Sequence, residues 1–220
     1  NRFVDYYSKA KLFQINENDI FTLTAKDEKK IIKILDKYAK KKYKFVLTDF
    51  GHGLFNKSIV KFLHSKSIKK YINCQSNSSN YGYNIFTKFN NSQLTCVDEV
   101  EFRLSTQERL EKIRILIQKN KKFLHKFTNL IVTMGKNGCY FLNRGKLSFV
   151  PTMFKHQLDT LGAGDAFFSG MVICDHIRSI SQEEKSIIAH VFGGIHSNVY
   201  GNENYLTKDK VLTTLRYILK

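Results

Sequence analysis

Leu158-Asp159-Thr160-Leu161-Gly162-Ala163-Gly164-Asp165-Ala166-Phe167-Phe168-Ser169-Gly170 decides how this chain is read. Two glycines bracket an alanine, an aspartate follows at once, and a helix-compatible run begins there. Small residues let a backbone approach a ligand closely, and a helix start offers unpaired N–H groups to an anion. Asp165 stands beside that anion position, where a carboxylate can take a proton from an attacking hydroxyl. The pairing of an anion cradle with a base points to phosphoryl transfer. The same residues also suit a plain turn with an acid on the helix dipole. Asp159-Thr160, directly upstream, favours the first reading.

Outward from this run, strand and helix patterns alternate. Phe45-Val46-Leu47-Thr48 predicts a buried strand ending at Asp49. A helix follows over residues 58–64, then strands at Tyr71-Ile72-Asn73 and over residues 94–97, and a helix over residues 108–118. Leu130-Ile131-Val132-Thr133 is a further strand, running into Met134-Gly135-Lys136-Asn137-Gly138. Cys139-Tyr140-Phe141-Leu142 and Lys146-Leu147-Ser148-Phe149-Val150 form a hairpin around Asn143-Arg144-Gly145. Residues 27–35 open with acids and repeat apolar residues at helical spacing. Residues 2–7 and 11–15 suggest two short strands around Ser8-Lys9-Ala10, and the chain closes with helices over 165–174, 183–196 and 208–219. This alternation predicts an α/β fold with a parallel sheet covered on both faces. Ligands in such sheets bind at the carboxyl ends of strands, so Asp49, Asn73, Glu101, Gly135 and Asp165 are expected on one rim. No repeat or linker interrupts the pattern, so residues 1–220 read as one domain.

Composition removes several function classes. The formal net charge is +17, but the lysines are spread, as in Lys29-Lys30, Lys40-Lys41-Lys42 and Lys121-Lys122. That is the pattern of a solvated coat, and no basic–aromatic recognition motif accompanies it, so nucleic acid is not an expected partner. A membrane is not expected either, because no apolar run is long enough to span a bilayer. Asn1-Arg2-Phe3-Val4-Asp5 reads as strand, not signal segment. Cys74, Cys96, Cys139 and Cys174 are scattered without a Cys-x-x-Cys pair, which suits reduced thiols in the cytoplasm and argues against zinc. His190 and His196, on one predicted helix, read as packing or surface residues.

Asp159-Thr160-x-Gly162-Ala163-Gly164-Asp165 resembles the C-terminal signature of the ribokinase-like (PfkB) carbohydrate kinases. Three more segments follow the family's order: Asp49-Phe50-Gly51-His52-Gly53; Asn73-Cys74-Gln75-Ser76-Asn77 with Asn80-Tyr81-Gly82-Tyr83-Asn84; and Glu99-Val100-Glu101-Phe102-Arg103-Leu104. Together they are similar to the kinase half of bacterial heptose-phosphate kinases, which feed ADP-heptose synthesis. The resemblance implies a three-layer ribokinase-like sandwich with a mostly parallel central sheet. It also implies ATP as co-substrate with Mg²⁺, and a sugar or sugar phosphate, heptose-like, as acceptor.

The resemblance also implies roles for single residues. Asp165 becomes the general base, with Gly162, Ala163 and Gly164 as the anion hole. Thr133-Met134-Gly135-Lys136-Asn137-Gly138 matches the family's Thr-x-Gly-x-x-Gly nucleotide loop. Gly135 and Gly138 admit phosphate, the Thr133 hydroxyl donates to it and Lys136 approaches it. Glu101 fits the glutamate of the family's Asn-x-x-Glu, which holds Mg²⁺ through water and phosphate, while Asp98 departs from the Asn. The same acids read equally as an acidic helix start. Asp159 and Thr160 resemble the monovalent-cation loop, which implies K⁺ activation. Asn73, Gln75, Asn77 and Asn80 suit sugar hydroxyls or phosphates, or simply cap loops as Asx-turns, and only Asn73 is retained as a site residue. Asp49 either approaches the acceptor or caps the glycine turn after it. By analogy Gly193-Gly194 and Asn198 line an adenine pocket, although helix packing explains the glycines equally well.

Members of the family begin with a strand, a Gly-Gly sugar-binding segment and a lid, all ahead of the Arg2-Phe3-Val4 segment. The chain is therefore expected to be the C-terminal part of such a kinase. A homodimer, or a fused nucleotidyltransferase domain in the full-length protein, is the expected assembly. A non-catalytic nucleotide-binding module, or an inactive fragment of such a kinase, is the alternative.

Overall fold

The computed structural model describes residues 2–7, 11–15, 17, 21–154, 157–200 and 205–220. Its frame is a six-stranded sheet made of β3 (Phe45–Asp49), β4 (Lys70–Cys74), β5 (Leu94–Asp98), β6 (Asn129–Thr133), β7 (Cys139–Asn143) and β8 (Lys146–Val150), paired in that order. The first four strands run parallel, and β7 runs antiparallel to both of its neighbours. Two further strands, β1 (Arg2–Val4) and β2 (Lys11–Gln14), form a separate antiparallel pair. The Ser8-Lys9-Ala10 connection lies outside the described residues.

Period-two alternation assigns side chains to the two faces of the sheet. Leu47, Ile72, Cys74, Val97, Leu130, Val132 and Leu142 face one core. Helices α1 (Ala25–Lys40), α2 (Lys57–Ser65), α3 (Glu99–Thr106), α4 (Ile113–Lys119) and α5 (Lys121–Leu124) cover that side. Tyr71, Leu94, Cys96, Ile131, Cys139, Phe141 and Val150 face the other core, against α6 (Ala163–Cys174) and α7 (Gln182–Ser197). Helix α8 (Lys208–Ile218) packs on α7. This is the expected mostly parallel sheet between two helical layers. The four cysteines are buried and unpaired. Among the described residues no helix is long and apolar enough to cross a membrane.

Two expectations need correction. Phe45–Asp49 is an edge strand with one covered face, not a buried strand: Leu47 is 5% exposed but Val46 is 52% exposed. Helices α6 and α7 do not extend over it. Nor does one helix fill residues 108–118. Helix α3 starts at Glu99, held by a capping box between Asp98 and Glu101, and stops at Gln107, which adopts φ 55. A turn follows before α4 begins at Ile113. A left-handed residue ends a helix because its N–H turns back onto the last carbonyls.

Candidate active site

The sheet faces explain which predicted site residues meet. On β4, Tyr71 faces α6, so Asn73 and Gln75 share that face by alternation. On β6, Ile131 faces the same side and brings Thr133 with it. Asp49 shares parity with Leu47 and lies on the opposite face, beside Cys74. The expected rim therefore divides. Asn73, Thr133 and Asp165 fall on the α6 side, and Asp49 does not.

Gly162 takes φ 73 and serves as N-cap of α6. The Ala163 N–H donates to Thr160 O at 3.2 Å and Ala166 N–H donates to Gly162 O at 2.9 Å, closing the turn. The Gly164 and Asp165 N–H groups have no acceptor among the described residues. The donors open to an anion are thus Gly164 and Asp165, while that of Ala163 is engaged within the turn. A Cβ built on Gly164 meets nothing within 4 Å, so open space adjoins the donor.

Asp165 receives a hydrogen bond from Gln75 Nε2 at 2.5 Å. Burial raises its carboxyl pKa, opposed by the Gln75 bond and the nearby His196 imidazole. Gln75 is a site residue that the sequence reading set aside with the other amides. The signal for it was parity, since it lies two residues beyond Asn73 on the face that receives Asp165. Asn73 is 5% exposed, and its side-chain amide has no hydrogen bond among the described residues. The other amides are scaffolding. Asn77 and Asn80 donate to Phe50 O at 2.8 and 2.7 Å, and Asn84 donates to Asp49 O and Gln75 O. Asp49 accepts from Gly51 N–H at 3.0 Å and pairs with Lys88 at 2.6 Å. Of its two readings, the turn cap is the one this network carries.

The glycine loop after β6 folds back on itself. Met134 N–H donates to Gly138 O at 2.8 Å and Gly138 N–H to Gly135 O at 3.1 Å. Gly138 must be glycine, because φ is +88 and a Cβ would lie 2.3 Å from Val150 O. Thr133 Oγ1 donates to Val97 O, a long bond of 3.4 Å, and not toward the loop. Lys136 is exposed and does not border the cleft that this loop helps to form.

That cleft has a volume of about 80 Å³, and Thr133, Gly135, Gly138, Gly164, Phe154, His190, Gly193 and Gly194 are among the residues that line it. Phe154 lies across Gly194, where a Cβ would be 2.2 Å from its ring. Gly193 and Gly194 thus both line the cleft and permit close packing. Asn198 instead caps α7 by donating to Gly194 O at 2.8 Å. His190 borders the cleft, and His196 Nε2 is buried without a hydrogen bond among the described residues, 2.7 Å from where a Gly162 Cβ would be. His190 is thus a packing residue against Phe167 that also borders the cleft, and His196 packs beside the Gly162 turn.

Glu101 is 8% exposed, and its two oxygens accept from Ser76 N–H at 3.0 Å and Asp98 N–H at 2.7 Å. Burial first, then Asp98 and Asp165, push its pKa up to about 8. Burial also raises the Asp98 carboxyl, whose oxygen accepts from Glu101 N–H at 2.7 Å. The acidic helix start is therefore real. Asp159 clasps its own turn, accepting from Leu161 N–H at 2.9 Å while its N–H donates to Ser197 O at 3.0 Å.

Comparisons with known proteins agree with this architecture. Residues 69–174 match the model of the pfkB family carbohydrate kinases. No curated protein sequence matches the chain. Phosphofructokinase-2 from Escherichia coli, in complex with potassium, is similar in structure, with TM-score 0.69 and 14% identity over 90% of this chain and 64% of that one. Arabidopsis thaliana ribokinase, complexed with ribose and ATP, gives 0.63 and 17% over 89% and 60%. Ribokinase from Thermotoga maritima gives 0.58 and 18% over 78% and 56%. The chain thus spans a little under two thirds of the length of these kinases. Its fold is ribokinase-like, and the family that its sequence matches over residues 69–174 is that of the pfkB carbohydrate kinases.

Proposed function

We propose that these residues form the nucleotide-binding and base-bearing part of a kinase that transfers the γ-phosphoryl of ATP to a hydroxyl of a sugar or sugar phosphate. One observation carries this reading: two free N–H groups, Gly164 and Asp165, adjoin a half-buried carboxylate held at 2.5 Å by Gln75. The triphosphate lies along the cleft with its transferring end at the α6 N-terminus, where the dipole and the two donors stabilise developing negative charge. The acceptor hydroxyl gives its proton to Asp165 as its oxygen bonds to phosphorus and the bond to the ADP oxygen breaks. A carboxylate raised by burial is a better base near neutrality than an exposed one.

Mg²⁺ fits the donor set. Asp98, exposed at the end of β5, and Glu101, buried, would offer it carboxylate oxygens; desolvation first, then neighbouring acids, raise both carboxyl pKa values. Both Glu101 oxygens already accept backbone N–H groups, so it would hold the ion through water. Mg²⁺ supplies charge neutralisation on the phosphates when bound. A monovalent cation such as K⁺ is assigned to the Asp159–Thr160 turn on the family resemblance. The same resemblance makes the acceptor heptose-like and the assembly a homodimer or a fusion with a nucleotidyltransferase domain. A panel of hexose and heptose phosphates in a coupled ADP-release assay tests the acceptor.

Gly164→Ala tests the nucleotide reading cleanly. Its backbone has no positive φ and its Cβ touches no protein atom, so the fold should be kept or stabilised by up to about 1 kcal/mol. The methyl group intrudes on the donor, and calorimetry should show ATP affinity down at least about tenfold. Unchanged affinity would remove this turn from the site. The alternative reading is nucleotide binding without turnover. Sugar-dependent ADP release by these 220 residues decides against it.

A further inference from the structure

A second pocket, of about 670 Å³, lies on the α3–α4 side of the sheet, and its volume is within the range of small-ligand sites. It backs onto the cleft, because successive residues of a strand face opposite ways. Thr133, Gly135 and Gly138 border the cleft, whereas Met134 and Tyr140 pack with the opposite core and line the second pocket. The Tyr140 ring is braced by Phe149, with centroids 5.2 Å apart. Together with Met134 and Ile115, which is 38% exposed, it gives the pocket an apolar wall.

The charges of this pocket do not cancel. Glu99 is the one acid among the described residues that line it, and Arg103 holds it at 2.7 and 2.9 Å. Arg103 also donates from Nη1 to Arg109 O and Glu111 O at 3.0 and 2.8 Å. Glu111, just outside, pairs with Lys119 at 2.6 Å. Lys112 and Arg114 remain. Both are exposed on the pocket wall, and neither side chain makes a hydrogen bond or salt bridge among the described residues. A cation in a first helical turn opposes the dipole, so α4 itself gives no reason for Arg114.

We propose that this pocket is an effector site for a small organic anion with a flat apolar body. The anionic group meets Arg114 and Lys112, and the body covers Met134, Ile115 and Tyr140. Arginine suits a carboxylate, sulfonate or phosphate because its fork donates two parallel hydrogen bonds. One stretch of chain joins the pocket to the cleft. Met134 N–H donates to Gly138 O at 2.8 Å, closing the loop whose Gly135 and Gly138 border the cleft. A ligand that fits one arrangement of Met134 better than another biases that loop. Its occupancy and nucleotide affinity then change each other by the same factor. The linkage rests on the nucleotide reading proposed above; the site itself does not.

The probe is 8-anilinonaphthalene-1-sulfonate, whose fluorescence reports binding, with N-phenyl-1-naphthylamine as the same body without the charge. With the whole chain, Arg114→Glu should weaken the sulfonate at least about tenfold and the neutral amine less than about twofold. An acid in the first turn of α4 suits the dipole, so thermal melting should find the fold kept. Arg114→Gln, with a loss of about threefold for the sulfonate alone, covers a failure of the first variant to fold. Saturating sulfonate should change the Mg·ATP dissociation constant of the wild-type chain at least about fivefold, to a plateau. It should leave that of Arg114→Glu unchanged. Sulfonate binding that is absent, or indifferent to Arg114, overturns the site, as does ATP weakening without limit, which means competition in the cleft. An ATP affinity that saturating sulfonate does not move overturns the effector role. If the wild-type chain binds no ATP, the nucleotide reading falls and the linkage with it, while the two dyes still decide the site.

Discussion

Asp165, half-buried, and Glu101, buried, are carboxyls with different duties, and pH separates them. The hydrogen bond from Gln75 draws the Asp165 pKa down against burial. Gln75→Leu removes that bond, so the pKa rises further and the base stays protonated to higher pH. The acid limb of the kcat/KM profile of the active kinase should shift to higher pH, whereas Asp165→Asn should cost at least about 10² in kcat at every pH. An unshifted limb in Gln75→Leu would detach that limb from Asp165. Glu101 acts on stability instead. Its folded pKa, about 8, lies above the ordinary value of 4.5. Between those values the native state holds a proton that the unfolded chain has released, so stability falls as pH rises through this window. The thermal midpoint should decline from pH 5 to pH 8, and less steeply in Glu101→Gln. Mg²⁺ with ATP should raise the midpoint more at pH 8 than at pH 5 if this carboxylate helps to hold the ion.

At the scale of elements, helix caps are the most testable contacts. Ser181 accepts from Glu184 N–H at 3.1 Å, and Glu184 accepts from Ser181 N–H at 2.6 Å, starting the helix that carries both His190 and His196. Ser181→Ala should cost about 1 kcal/mol in denaturant unfolding, with ATP affinity unchanged because the cap lies at the far end of α7 from His196. The order of strands and helices was legible in the sequence because period and glycine turns are local signals. The Asp165 turn was legible because glycine and aspartate at a helix start have few other uses. Burial of Phe45–Asp49 was not, since an apolar run does not reveal how far neighbouring helices extend. The sheet face taken by the Asp49 side chain was not legible for a related reason: a shared rim does not tell which face a residue takes. Gln75 was set aside among the amides because its partner, Asp165, lies 90 residues away in the sequence.

For the whole molecule, the charge of +17 is spread over helix surfaces and is expected to act as a diffuse field. Duplex DNA should bind weakly in filter assays and be released between about 50 and 200 mM salt. Retention beyond that range would mark a true nucleic-acid site. The buried cysteines have a different consequence. Burial pushes the Cys139 thiol up to about 12, and the thiols of Cys74, Cys96 and Cys174 upward as well. None reacts readily while the fold is closed, because the thiolate is the reactive form. Each cysteine is therefore a clock for the opening of its own neighbourhood. Cys139 directly follows Gly138 of the cleft loop, whereas Cys174 ends α6 at the far side from the Asp165 turn. Under mass-spectrometric labelling, ATP with Mg²⁺ should slow Cys139 and leave Cys174 at its own rate, so that one unmodified chain reports which part of it a ligand closes.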